Sequence, residues 1–75
     1  MSRRPTLPQL RRALLFYCLD EHHWRTPSDC QQLLRLGGHE WYRIALVLER
    51  LAADGLIELK GRGSRVRRFR LRQTS

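Results

Sequence analysis

Residues 43–71, "RIALVLERLAADGLIELKGRGSRVRRFRL", change from a helical to an extended pattern within one short stretch. Apolar residues recur at steps of three and four up to Leu51, which predicts one buried helix face. Gly55 then marks the end of the helix, because glycine readily adopts the backbone geometry that follows a helix C-terminus. Beyond it, residues 56–60 and 65–72 have strand patterns joined by the turn Gly61-Arg62-Gly63-Ser64. The stretch therefore predicts a helix followed directly by a β-hairpin.

The second predicted strand contains a conflict between its apolar residues. Phe69 and Leu71 are two positions apart and therefore point to the same face of a strand. Val66 is an odd number of positions from both and points to the opposite face, so a regular strand cannot bury all three. Either a bulge near Arg67-Arg68 or a solvent-exposed Val66 would resolve this conflict.

Two further helices are predicted upstream, which makes the fold class α+β. The first runs from about Pro8 to His22 and the second from about Pro27 to Leu36, each with a preceding threonine as its cap. A short extended link at 24–26 joins them, and Gly37-Gly38 predicts a tight turn with positive φ before the third helix, His39 to Asp54. The residues predicted to face the core are Leu10, Ala13, Leu14, Tyr17, Cys18, Cys30, Leu33, Leu34, Trp41, Ile44, Leu48 and Leu51.

The composition of the chain indicates a small folded domain with an anionic partner. It has 75 residues, 41% of them apolar, which is typical of a globular protein and excludes disorder over the whole length. The formal net charge is +8, and it is unevenly placed: residues 60–75 hold seven Lys/Arg and no acid, whereas residues 1–59 hold eight Lys/Arg and seven acids. A charge of this kind attracts anions such as nucleic acid.

The order of the predicted elements resembles that of a winged helix-turn-helix domain. Residues 43–71 are similar to the stretch of bacterial winged-helix transcription regulators in which the recognition helix ends in a leucine, a few polar residues, Gly-Leu-Ile and then the wing. Leu48, Leu51, Gly55, Leu56 and Ile57 occupy those positions here. The resemblance implies a flexible basic N-terminal arm at 1–7, a winged-helix DNA-binding domain at 8–72 and a C-terminal tail at 73–75.

The same resemblance implies which residues would contact DNA. Helix 39–54 would enter the major groove, where Arg43 suits a bidentate contact to guanine. Glu40 suits either a contact to cytosine or a purely local role at the helix N-terminus. Hairpin 56–72 would lie on the backbone or in the minor groove, with Arg62 as the residue expected to enter the groove. The predicted DNA-binding residues are His39, Glu40, Tyr42, Arg43 and Leu46 on the helix, Lys60, Arg62, Arg65, Arg67, Arg68 and Arg70 on the wing, and Arg3 and Arg4 on the arm.

The function that these observations favour is sequence-selective binding of double-stranded DNA by a transcriptional repressor that acts by occupying its site. Two alternatives remain open: a winged helix that binds an acidic protein within replication or conjugation machinery, and an RNA-binding winged helix. The apolar residues Leu15, Phe16 and Leu19 predict either cover by the arm or the hairpin, or a homodimer interface.

Cofactors, metals and catalysis are not predicted. Cys18, His22, His23, Cys30 and His39 carry suitable zinc ligands, but they lack the paired spacing of a zinc site. No phosphate-binding loop or nucleophile constellation occurs, so we expect no enzyme activity. No apolar run is long enough to cross a bilayer and no signal peptide is apparent, which leads us to expect a cytoplasmic protein.

Overall fold

The computed structural model of the chain describes residues 5–61 and 67–72, and in them it has the predicted α+β class. Three helices precede a two-stranded antiparallel hairpin, an arrangement compatible with a winged helix. The elements are α1 (Leu7–Ala13), a π-helical turn that continues it (Leu14–Cys18), α2 (Pro27–Leu33), a 3₁₀ turn (Gly38–Glu40), α3 (Trp41–Ala53), β1 (Ile57–Lys60) and β2 (Arg68–Leu71).

Both of the first two helices begin at the predicted threonine caps. The Thr6 hydroxyl accepts from the Gln9 amide, and the Gln9 side chain accepts from the Thr6 amide in return. Thr26 and Asp29 form the same reciprocal pair at α2. Each pair satisfies two amides that a helix start leaves without partners, which fixes where the helix begins.

The first helix ends at Cys18 rather than at the predicted His22, and it ends in a wide turn. The Leu19 amide donates to the Leu14 carbonyl, five residues earlier, at 2.9 Å. One extra residue in a turn rotates the following positions by about 100° relative to an α-helix. Tyr17, predicted to be buried, is consequently 80% exposed, and Leu19, predicted on the outer side, is 5% exposed within the core.

The core forms where one side of each helix meets the inner face of the hairpin. The prediction for Leu33 is wrong, since it is 51% exposed and the buried side of α2 runs through Pro27 and Cys30. The prediction for Trp41 is also wrong: this first residue of α3 is half-buried outside the core, while Val47 lies within it. The buried apolar residues are Leu10, Leu14, Cys18, Leu19, Cys30, Ile44, Val47, Leu48, Leu51, Ile57 and Phe69.

The second and third helices end in the same hydrogen-bonded motif with different residues. After α2, the Leu36 amide bonds to the Gln31 carbonyl and Arg35 takes a φ of 55°. After α3, the Leu56 amide bonds to the Leu51 carbonyl and Gly55 takes a φ of 81°. The left-handed residue that ends α2 is therefore Arg35, and the predicted positive φ at Gly37-Gly38 is wrong: Gly37 has a φ of −66°.

The hairpin pairs in one continuous register. Ile57 lies opposite Leu71 and Leu59 opposite Phe69 on the face that covers the core, and the ladder is uninterrupted from Arg68 to Leu71. Val66, and with it the predicted conflict of parity, lies outside the described residues. On its other edge β2 exchanges two hydrogen bonds of 2.8 Å between Phe69 and Arg25, which confirms the predicted extended link before α2.

Candidate nucleic-acid interface

The face of the hairpin directed away from the core, which we call the outer face, consists of Glu58, Lys60, Arg68 and Arg70. Glu58 lies opposite Arg70, and the Arg70 Nε donates to a Glu58 oxygen at 2.5 Å. Lys60 lies directly opposite Arg68, and both are exposed. Neither has an acidic partner within 5–61 and 67–72. Three cations against one carboxylate give this face a net positive charge.

Two arginines of the hairpin have acidic partners, although residues 60–75 contain no acid. Arg70 pairs with Glu58 of the neighbouring strand, and the Arg67 Nη1 donates to Glu49 of α3. Both acids belong to segments that the fold brings beside β2, so local charge counting along residues 60–72 could not find them. The Arg67–Glu49 pair also ties the hairpin to α3.

An aromatic residue that the sequence analysis assigned only to a link, Trp24, lies against the outer face. Its ring centroid is 4.4 Å from the guanidinium carbon of Arg70 and 5.3 Å from the ammonium of Lys60. Both distances are within the range of cation–π attraction. The sequence did contain a signal for this position of Trp24. An extended segment can pair with the free edge of a hairpin, and Trp24 belongs to the segment that is predicted to be extended.

The outward side of α3 and the turn before it carry three more of the predicted DNA-binding residues. Tyr42, Leu46 and the His39 side chain are all exposed, as residues that would contact DNA need to be. Leu46 also lines an apolar groove of about 310 Å³ between α1 and α3, together with Leu7, Pro8, Arg11, Val47, Arg50 and Leu51. This side of α3 is therefore more apolar than charged.

Glu40, for which the sequence predicts either a contact to cytosine or a local role at the helix N-terminus, lies buried in the turn before α3. Its side chain is 2% exposed, and one carboxylate oxygen accepts from the Arg43 Nη1 at 2.9 Å. The His39 Nε2 lies 3.2 Å from the other oxygen. The Arg43 Nη2 donates to the Pro5 carbonyl at 2.5 Å, which joins the start of α1 to the start of α3. Two of the Arg43 donors are thus already engaged within the protein.

A turn built on Asp20 supports the segment that carries Trp24. The Asp20 carboxylate accepts from the amides of His22 and His23, each at 2.7 Å, and from the His23 ring at 3.0 Å. These donors, the His22 amide foremost, lower the pKa of Asp20 from its ordinary value of 3.8. The Asp20 carbonyl also accepts from the Leu71 amide at 2.9 Å, so the turn is attached to β2.

Cys18 and Cys30 meet in the core rather than at the surface. The Cys18 Sγ lies 3.9 Å from the Cys30 carbonyl oxygen, and both side chains are buried as free thiols. The neighbouring Cys18 thiol, together with burial, raises the pKa of Cys30. Within residues 5–61 and 67–72, no group of three His, Cys, Asp or Glu side chains is arranged to hold a metal ion.

Several predicted contact residues fall outside the described parts of the chain. They are Arg3 and Arg4, near the N-terminus, and Arg62 and Arg65, between the two strands in sequence. For the proposed dimer interface, Leu19 is in the core and Leu15 is partly buried, so Phe16, at 75% exposure, is the member of that set at the surface. The homodimer itself stays a prediction.

Comparisons with known proteins identify no relative of this chain, so its class is described from its fold alone. Scans against protein-family models, curated proteins and solved structures each found no match to this chain. Of the helices in the described residues, none is long and apolar enough to cross a membrane. The chain is a small α+β protein of three helices and a two-stranded antiparallel hairpin, as counted over residues 5–61 and 67–72.

Proposed function

We propose that the protein binds double-stranded DNA and acts as a transcriptional repressor by occupying its site. In this proposal the outer face of the hairpin meets the phosphate backbone, and the exposed side of α3 enters the major groove. His39, Tyr42 and Leu46 are then the residues nearest the bases.

The observation that carries the proposal is the pairing of Lys60 with Arg68. Like charges directly opposite one another destabilise a strand pair, and no carboxylate of the described residues neutralises these two. A phosphate backbone supplies the missing negative charge, and its condensed counterions are released on binding. Arg62 and Arg65 lie between the two strands in sequence and add to the positive charge of the same segment.

The test is a titration of the protein with random-sequence duplex DNA at several salt concentrations. We expect Arg68→Gln to weaken binding to all duplexes. The negative slope of log K against log salt should become less steep by about 0.9, because one phosphate contact is lost. Arg12→Gln is the matched control, since Arg12 is an exposed arginine on α1 and its replacement removes the same charge. An equal effect of both variants would show that binding responds only to net charge.

The alternative functions give different results in the same titration. Equal or tighter binding of double-stranded RNA would support the RNA-binding alternative. Lack of binding to either duplex at low salt would overturn the proposal and favour the protein-binding alternative. The basic outer face of the hairpin is the surface that this alternative would use, because its partner is an acidic protein.

A further inference from the structure

Trp24 contacts two of the three cations on the outer face of the hairpin without belonging to either strand. Arg25 pairs with Phe69 on the edge of β2, and side chains alternate between faces along an extended chain. Trp24 consequently lies on the face opposite to Phe69, which is the face of Lys60 and Arg70. The turn at Asp20 holds this segment in place.

The ring offsets a repulsion that the strand register creates. Lys60, Arg68 and Arg70 lie within two cross-strand pairs, and Glu58 is the single carboxylate among them. The negative face of an indole ring attracts a cation without neutralising its charge. Arg70 is therefore held by Glu58 and by Trp24, whereas Lys60 is held by Trp24 alone among the described residues.

We propose that Trp24 is a positioning residue for phosphate binding. Its ring holds the Lys60 ammonium and the Arg70 guanidinium beside Arg68, so that these cations are ordered before the phosphate backbone of DNA binds. Long basic side chains lose much rotational freedom when they bind, and ordering them in advance reduces that loss. This inference rests on the proposed function. Trp24 itself makes no contact with the nucleic acid in this scheme.

The first experiment uses the free protein and needs no DNA. The chain has two tryptophans, so Trp41→Phe leaves Trp24 as the single indole emitter. In that background we expect Lys60→Met and Arg70→Met each to alter the intensity or wavelength of Trp24 emission, because each removes a cation from the ring. Arg12→Met is the control and should leave the spectrum unchanged. Identical spectra in all the variants would overturn the inference.

The second experiment measures binding of duplex DNA across a range of salt concentrations. We expect Trp24→Leu to weaken binding about three- to tenfold, because the two cations are then no longer ordered before they bind. The salt slope of Trp24→Leu should equal that of wild type, because the same phosphates are contacted. Lys60→Met should instead make the slope less steep by about 0.9. Trp24→Phe should bind within about twofold of wild type, since a phenyl ring keeps the attraction. Thermal melts of each variant verify that it is folded.

The positioning role is separated from a purely structural one by a double-mutant comparison. In a Lys60→Met, Arg70→Met background, Trp24→Leu should cause no further loss of affinity, because the ring has no cation left to hold. The same loss in both backgrounds, or wild-type affinity in Trp24→Leu, would overturn the inference while leaving the proposed function intact. A wild-type protein that does not bind duplex DNA would instead overturn the proposed function, and the inference with it.

Discussion

Arg43 shows how the role of one residue depends on contacts that are distant in sequence. The resemblance to winged helices implies that Arg43 presents an exposed guanidinium suited to reading guanine. In the folded chain its Nη1 bonds to the buried Glu40 and its Nη2 to the Pro5 carbonyl, 38 positions away. A guanidinium that already satisfies a buried carboxylate leaves an unfavourable charge behind if it turns toward DNA.

We therefore expect Arg43→Ala to act first on stability. The variant should lose about 1–3 kcal/mol of unfolding free energy, because the Glu40 carboxylate loses a charged donor. Urea denaturation measures this loss, and Arg12→Ala provides the exposed control. In the proposed DNA complex the weakening should be equal for all sequences. A loss confined to one base pair would show instead that Arg43 leaves Glu40 on binding and reads a guanine.

Asp20 provides a test by pH. Its pKa is lower in the folded chain than in the unfolded one, so its ionised form stabilises the fold above the unfolded pKa of about 4, and this stabilisation is lost as the pH falls toward the folded value. We expect Asp20→Asn to be less stable than wild type at pH 7, and the gap to narrow as the pH falls below about 4. Urea denaturation series at pH 7 and pH 3 measure the gap. A stability difference that does not change with pH would mean that the Asp20 side chain stabilises the fold through its hydrogen-bond geometry and not through its charge.

At the scale of elements, the ends of the helices decide which faces meet the core. The π-helical turn after α1 rotates Tyr17 outward and Leu19 inward. The helix ends after α2 and α3 each need one residue with positive φ, Arg35 and Gly55 respectively. Gly55 is followed within two residues by β1, so the geometry at this position sets the direction of the hairpin.

Gly55→Ala should consequently destabilise the fold by about 1–2 kcal/mol, the cost of a left-handed backbone for a residue with a Cβ. Steric crowding adds little, because the nearest atom to the new Cβ is Arg72 Nη1 at 3.6 Å. Gly38→Ala is the matched control: it has open space and no positive φ, so it should be neutral or stabilising by about 0.4–1 kcal/mol. Thermal melts of the two variants compare them, and equal melting temperatures would contradict the account of Gly55.

At the scale of the whole molecule, one small core holds all the elements together. Leu48 of α3 is fully buried in it, beside residues contributed by α1, α2, β1 and β2. A domain of this size has little stability to spare, since the free energy of unfolding is typically only about 5–15 kcal/mol. Loss of one large core side chain should thus affect every surface that the core supports.

We expect Leu48→Ala to cost about 2–5 kcal/mol, from lost burial and from the cavity that remains. Leu46→Ala, two residues earlier and half-exposed, should cost far less. Differential scanning calorimetry of both variants measures the difference. Melting of Leu48→Ala within a degree or two of wild type would show that the buried side of α3 is assigned wrongly.

Sequence alone determined the features that depend on residues a few positions apart. The threonine caps at Thr6 and Thr26, the end of α3 at Gly55 and the inward parity of Phe69 follow from local hydrogen bonding and backbone geometry. The α+β class follows from them, because the change of apolar period from helical to alternating is itself a local pattern.

Tertiary structure alone decided the features that join distant segments. The position of the Arg43 guanidinium depends on the Pro5 carbonyl, the pairing of Arg67 depends on Glu49, and the place of Trp24 depends on the edge of β2. A single extra residue in the turn after α1 also exchanged the environments of Tyr17 and Leu19. Such contacts are set by how the elements pack, and packing depends on the whole core at once, which no short stretch of sequence encodes.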